Sequence, residues 1–201
     1  MPAPDVVYHF DPLCPWTWMT SRWLTEVAAA RGLALGWRSL SLRIVNDIEP
    51  GRHEPLDAGF EALRVIEALG EAGDDAGAGR LYTALGEQVH RAKRTLDRAL
   101  VAEALATAEI PAALAAAASD DAWDAAVAAS THLAVDAAGG GVGSPVVRWP
   151  ATGRATSGPI VSPPPTGDAA LGLWDVVTGA LEIPSFYELK RGRTGVTPQI
   201  P

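Results

Sequence analysis

The stretch Phe10-Asp11-Pro12-Leu13-Cys14-Pro15-Trp16-Thr17-Trp18 joins two readable elements and decides the fold. Upstream, residues 5–11 are β-branched and aromatic and read as a strand, which stops at Pro12 because proline has no N–H to give a ladder. Downstream, a helix begins at Pro15 and runs to about Arg31, where Gly32 ends it. Trp16, Met19, Trp23, Leu24 and Val27 fall at helical spacing, and proline suits the first helical position. Residues 33–42 alternate apolar and polar around Trp37 and Leu40 and read as a second strand. A β-α-β order of this kind predicts a parallel or mixed sheet.

Residues 46–55 read as a loop. From there to about Ala137 the composition is helical, rich in Ala, Leu, Glu and Arg. Breaks fall across 70–79, before Asp97, at Pro111 and at Ser119, where Ser119-Asp120-Asp121 offers side-chain oxygens to the free N–H groups of a first turn. Gly139-Gly140-Gly141 marks the exit. Short strands are expected at 145–149 and 158–161 with a turn near Gly153, then a helix over 166–181 carrying Leu171, Leu173, Trp174 and Val177. A last helical turn or two is expected over 185–191, and a frayed tail from Gly192 to Pro201.

The 201 residues are 48% hydrophobic, enough for one compact domain, or one with an insertion, to bury a core. A net charge of −8 is a poor electrostatic match for nucleic acid or anionic lipid. The longest apolar run, 110–118, is too short for a membrane span, and the first residues carry no leader pattern, so the expected compartment is the cytoplasm. Lysine occurs only at Lys93 and Lys190, the other basic residues being Arg, which with the alanine runs suggests a GC-rich genome.

Cys14 is the single cysteine, so no intramolecular disulfide forms and a multi-cysteine zinc site is excluded. It stands between a strand and a helix N-terminus. Unpaired N–H groups and the helix dipole favour its thiolate, and a loop position at a strand end is expected to be accessible. A thiolate so placed attacks disulfides or electrophilic carbon. The plainer reading is a buried, inert cysteine.

The same segment resembles the active site of DsbA-type thioredoxin-fold proteins. It is more closely similar to the actinobacterial mycothiol-dependent nitroreductase family, whose motif is Cys-Pro-Trp-Cys. The likeness continues through Thr20-Ser21-Arg22-Trp23, Leu81-Tyr82-Thr83-Ala84-Leu85-Gly86, His90, Val142-Gly143-Ser144-Pro145, Gly158-Pro159, Leu173-Trp174-Asp175 and Phe186-Tyr187-Glu188-Leu189-Lys190-Arg191. It implies an α/β, thioredoxin-like fold with a large inserted all-helical domain. The thioredoxin-like domain would be discontinuous, 1–54 and 138–201, and the helical insertion 55–137.

Thr17 stands where the family has its second, resolving cysteine. A disulfide on Cys14 must then be discharged by an outside thiol, which implies a monothiol cycle. Thr17 either donates a hydrogen bond to the thiolate or fills a site whose catalysis is lost. Ser144 and Pro145 match the loop whose X–Pro bond is cis in thioredoxin-like folds and packs beside the sulfur, with the backbone of Ser144 open to an incoming thiol or peptide. Pro15, Trp16 and His90 complete the implied binding surface, although His90 also reads as a helix-end residue.

His9 near Cys14 reads either as a thiolate partner or, more plainly, as a packed or backbone-bonded side chain. Asp11 reads as a proton acceptor or a turn residue. Trp23, Trp37, Trp149 and Trp174 read as core, and Trp18 as core or helical interface. The glycines at 139–143 lack the ending of a phosphate loop and read as a hinge. No metal, flavin or nucleotide motif is present.

The resemblance implies a thiol-dependent oxidoreductase using a low-molecular-weight thiol, mycothiol ahead of glutathione. Its partners would be small thiols and small-molecule or disulfide substrates, and the protein a monomer or homodimer. Two alternatives stay open. One is a kappa-type glutathione-transferase or isomerase, in which Thr17 or Cys14 activates a bound thiol without forming a disulfide. The other is a binding module without turnover.

Overall fold

Val6–Phe10 forms β1 and Leu35–Ser39 forms β2, joined by helix α1, Pro15–Arg31. The structure is a computed structural model and describes residues 3–192 and 197–200. β1 and β2 pair in parallel, Val6 opposite Leu35 and Phe10 opposite Ser39. β3 (Val146–Trp149) lies antiparallel along the other side of β1, and β4 (Arg154–Ser157) is antiparallel to β3, giving the order β2-β1-β3-β4. The sheet is mixed, as the β-α-β reading expects. Both ends of α1 follow from local chemistry: Pro15 opens it, and Gly32 at φ 68° turns its N–H back to the Ala28 carbonyl.

Between β2 and β3 the chain is helical. α2 is Leu42–Val45, α3 Glu54–Glu71 and α4 Asp75–Gly86, continued by a π-helical turn over Glu87–Arg91. α5 is Arg98–Thr107, 3-10 turns cover Ala112–Ser119 and Asp121–Trp123, and α6 is Asp124–Ala137. α7, Gly167–Leu181, follows β4. Asp74, Asp97 and Asp120 each accept a free N–H at a helix start, from Gly77, Leu100 and Ala122.

One buried cluster runs from the sheet into this helical block. Val6, Tyr8 and Phe10 alternate onto the same face of β1 and meet Trp37, Phe60, Leu63 and Tyr82. Phe10 stacks on Tyr82 at 3.9 Å between ring centroids, and Trp18 meets Tyr82 edge-on at 5.8 Å. Gly86 is where α4 passes Trp18, so closely that a Cβ there would overlap the indole ring. Trp23 and Trp174 are buried and tilted against each other, and half-buried Trp149 packs on Trp174. On the opposite face a smaller cluster of Leu40, Ala134 and Val146 lies under α6.

Three local expectations are corrected. The strand placed at 158–161 is instead β4 at 154–157, because Gly158 takes φ 89° and Pro159, in a cis peptide, has no N–H for the ladder. Residues 185–191 are not helical: Pro184 precedes them, and exposed Tyr187 and Leu189 find no apolar face to pack on among the described residues. The second strand ends at Ser39, and a short helix at 42–45 precedes the loop. The frayed tail expected over 192–201 falls partly on 193–196 and 201, outside the described residues.

Candidate functional site

Cys14 occupies the N-cap of α1, in extended backbone at φ −79° and ψ 110°, with Pro15 as the first helical residue. Asp11 builds the turn that presents it. The Cys14 N–H donates to the Asp11 carbonyl at 3.2 Å, the Leu13 N–H to Asp11 Oδ1 at 2.9 Å, and the Leu42 N–H to Oδ2 at 2.7 Å. One carboxyl thus ties the end of β1, the cysteine loop and the start of α2. Asp11 is 1% exposed, and burial raises its pKa to about 6 against the lowering effect of those two amide donors.

The loop before β3 closes over the sulfur. The Ser144–Pro145 peptide is cis, and the Ser144 carbonyl accepts the Cys14 S–H at 3.6 Å. Ser144 Oγ accepts the Asp11 N–H at 3.0 Å and lies 2.7 Å from Thr17 Oγ1. A consistent set of donors follows: Asp11 N–H to Ser144 Oγ, Ser144 O–H to Thr17 Oγ1, and Thr17 O–H free to donate to Cys14. Tyr8 O–H donates to the Thr17 carbonyl at 2.7 Å, anchoring the same turn from β1.

The sulfur differs from the sequence expectation in exposure and in charge. Cys14 is 7% exposed, and burial pushes its thiol above the ordinary range. The Thr17 hydroxyl and the Thr17 and Trp16 amides act in the opposite sense, while Asp11 adds to the rise. Desolvation outweighs the helix end here because the Ser144–Pro145 loop excludes water from it.

The structure therefore brings Cys14, Thr17, Ser144 and Pro145 together, with half-buried Pro15 and Trp16 in the first turn of α1. His90 sits behind them, buried in the π-helical turn, with Nε2 2.9 Å from the Pro12 carbonyl and its ring stacked on Trp18 at 5.9 Å. Its burial lowers its pKa to about 4. His9 Nδ1 lies 3.3 Å from the Ser39 carbonyl, which matches the backbone-bonded reading, and burial lowers its pKa to about 4 as well. The linking role of Asp11 and the reach of Ser144 Oγ had no signal in the sequence, since they join segments up to 133 residues apart. Among the described residues no three His, Cys, Asp or Glu gather as metal ligands, and no helix is long and apolar enough to cross a membrane.

A mixed four-stranded sheet, a cysteine between β1 and the helix that follows, and a cis-proline loop beside that cysteine define a thioredoxin-like fold of the DsbA kind. Solved structures agree. The fold is similar to that of a Cys-to-Ser variant of DsbA from Proteus mirabilis with a non-covalently bound peptide, at TM-score 0.55 and 17% identity over 91% of each chain. A chain from Nitrosomonas europaea, proposed as a protein disulfide isomerase, matches at TM-score 0.54 and 14% identity over 89% of this chain and 98% of its own. At the level of sequence, residues 13–191 match the Rv2466c-like family, described as mycothiol-dependent nitroreductase Rv2466c, and the chain belongs to that family. It is also 35% identical over 193 residues to the uncharacterized protein Rv2286c of Mycobacterium tuberculosis (strain ATCC 25618 / H37Rv), covering 94% of this chain and 82% of the relative.

Proposed function

We propose that this protein is a thiol-dependent oxidoreductase that works through Cys14 alone, with mycothiol as its small-thiol partner. The observation that carries the reading is the placement of the Cys14 sulfur between the α1 N-terminus and the Ser144 carbonyl, with Thr17 where a second thiol would stand. In the first step Cys14 thiolate attacks one sulfur of a mixed disulfide between mycothiol and a substrate. A Cys14–mycothiol disulfide forms, the old S–S bond breaks, and the substrate thiolate leaves and takes up a proton. A second mycothiol thiolate then attacks the mycothiol sulfur of that adduct. Cys14 is released and mycothiol disulfide carries away the oxidation. Membership in the Rv2466c-like family supports the choice of thiol.

In this reading 1–54 and 138–201 are the thioredoxin-like part and 55–137 the inserted helical part, in a protein working in the cytoplasm, where small thiols are kept reduced. Pro15, Trp16, Ser144 and Pro145 face the incoming thiol, and His90 supports the cysteine loop through Pro12. The test is consumption of mycothiol in the presence of a mycothiol-capped model disulfide. Wild type is expected to turn over and Cys14→Ser to stop.

The raised pKa of Cys14 favours one rival, the kappa-type transferase, in which Thr17 or Cys14 donates a hydrogen bond to a bound thiol and no protein disulfide forms. Full turnover by Cys14→Ser would select it.

A further inference from the structure

Val6, Tyr8 and Phe10 face the main core, so Val7 and His9 point to the other side of β1. Strand pairing puts Arg38 of β2 opposite His9 and Arg148 of β3 opposite Val7, all on that second face. An imidazole and two guanidiniums from three neighbouring strands thus share one surface, in a chain whose net charge is −8. Arg38 donates to Asp75 and to the Trp37 carbonyl. Arg148 has no carboxylate partner among the described residues, and its Nε is buried without a hydrogen bond. His9 Nε2 is buried without one as well, at the diagonal position of the same ladder, within reach of a long side chain. Burial and the Arg38 charge both lower the Arg148 pKa, and Arg148 in turn acts on His9. Buried polar atoms without partners are rare in folded proteins and mark places where an ion or a water belongs.

The two atoms need opposite things. His9 Nδ1 lies 3.3 Å from the Ser39 carbonyl, which also accepts the Ser130 hydroxyl at 2.8 Å. A carbonyl only accepts, so Nδ1 carries the proton of the neutral ring and Nε2 is left with a lone pair. Arg148 Nε only donates, and its charge is fixed. One ligand meets both needs if it brings anionic oxygens and an O–H of its own.

We propose that Arg148 and His9 form a binding site for a phosphate that retains one P–O–H, its oxygens accepting from the guanidinium and its O–H donating to His9 Nε2. Arg38, tied to Asp75, adds positive potential from β2. Arg148 is half-buried, so the site opens to solvent beside β3, and Ser130 of α6 closes it next to His9. A fully ionised carboxylate or sulfate has no proton to give Nε2. The site lies on the far side of the sheet from the main core and does not depend on the thiol-exchange reading.

The test titrates wild type at pH 6 with inorganic phosphate, methyl phosphate and sulfate at matched ionic strength. It follows the ring-nitrogen signals of His9, with those of His90 as internal control. At that pH His9, lowered to about 4, is neutral, and phosphate still carries a proton. Phosphate is expected to move the His9 signals and to bind at least about tenfold more tightly than sulfate, although charge alone favours sulfate. Arg148→Met is expected to weaken phosphate at least about tenfold. Arg154→Met, on β4 opposite Trp149 and so on the other face, is expected to leave it unchanged. Sulfate binding as tightly as phosphate overturns the proposal. So does the absence of any shift, which would mean that a water alone fills the gap. Shifts with methyl phosphate too assign the site to phosphate monoesters, and shifts with inorganic phosphate alone to the free ion; either result upholds it.

Discussion

Thr17 Oγ1 lies 2.7 Å from Ser144 Oγ, so the first turn of α1 is hydrogen-bonded side chain to side chain with the cis-proline loop across 127 residues of sequence. Thr17 is fully buried, and Asp11 N–H already donates to Ser144 Oγ. The Thr17 hydroxyl thus bonds to the loop that covers Cys14 and stands within hydrogen-bonding reach of its sulfur.

Thr17→Val keeps the shape and removes the hydroxyl. Leaving Ser144 Oγ one partner short in a part-buried site costs about 1–3 kcal/mol of stability. The Cys14 pKa is expected to rise further, because the lowering hydrogen bond is gone. Thermal melting and the pH profile of alkylation check the two effects, while Thr17→Ser restores both.

Cys14 alkylation reports its protonation directly. Burial holds the thiol above its ordinary range, so the thiol form dominates at pH 7 and the rate with a small alkylator rises as pH is increased through that range. A rate plateau already reached at neutral pH would contradict the buried geometry.

Acid stability follows from three buried groups. His9 and His90, each lowered from 6.5 to about 4, favour the fold above pH 6.5 and lose that contribution as pH falls to about 4. Each is worth on the order of 3 kcal/mol. Asp11 acts oppositely: raised from 3.8 to about 6, it favours the fold most below 3.8 and loses that contribution as pH rises through 6. Two histidines outweigh one carboxyl, so the melting temperature is expected to drop between pH 7 and pH 4.5, with a smaller drop in His90→Gln than in wild type.

Gly86→Ala tests the packing of the helical block on α1. The new Cβ overlaps the buried Trp18 ring, and the cost is expected to be about 1–3 kcal/mol or more, read by denaturant unfolding. Gly172→Ala, on α7 with open space around a Cβ, is the control.

What was legible in the sequence was local. Pro15 and Gly32 bound α1 because each acts on its own backbone, and Asp97 marks the start of α5 for the same reason. β-branched and aromatic composition placed β1 and alternation placed β2, whereas β4 was shifted because Ile160 and Val161 look like a strand and Arg154–Ser157 do not. Asp11 reads as a turn residue from its neighbours. Its connection to Leu42 depends on α2, a helix of four residues, too short to show periodicity. The meeting of Cys14 with Ser144 was legible only through resemblance, and the burial of the sulfur was not legible, since a segment 130 residues away covers it.

The central claim is that Cys14 exchanges with a small thiol by itself. Intact mass after incubation with mycothiol disulfide and, in parallel, glutathione disulfide tests it most directly, with Cys14→Ser as control. One mycothiol adduct on wild type, absent from Cys14→Ser and removed by added mycothiol, is the result expected. No adduct from either disulfide, while a small alkylator still reaches Cys14, would contradict it.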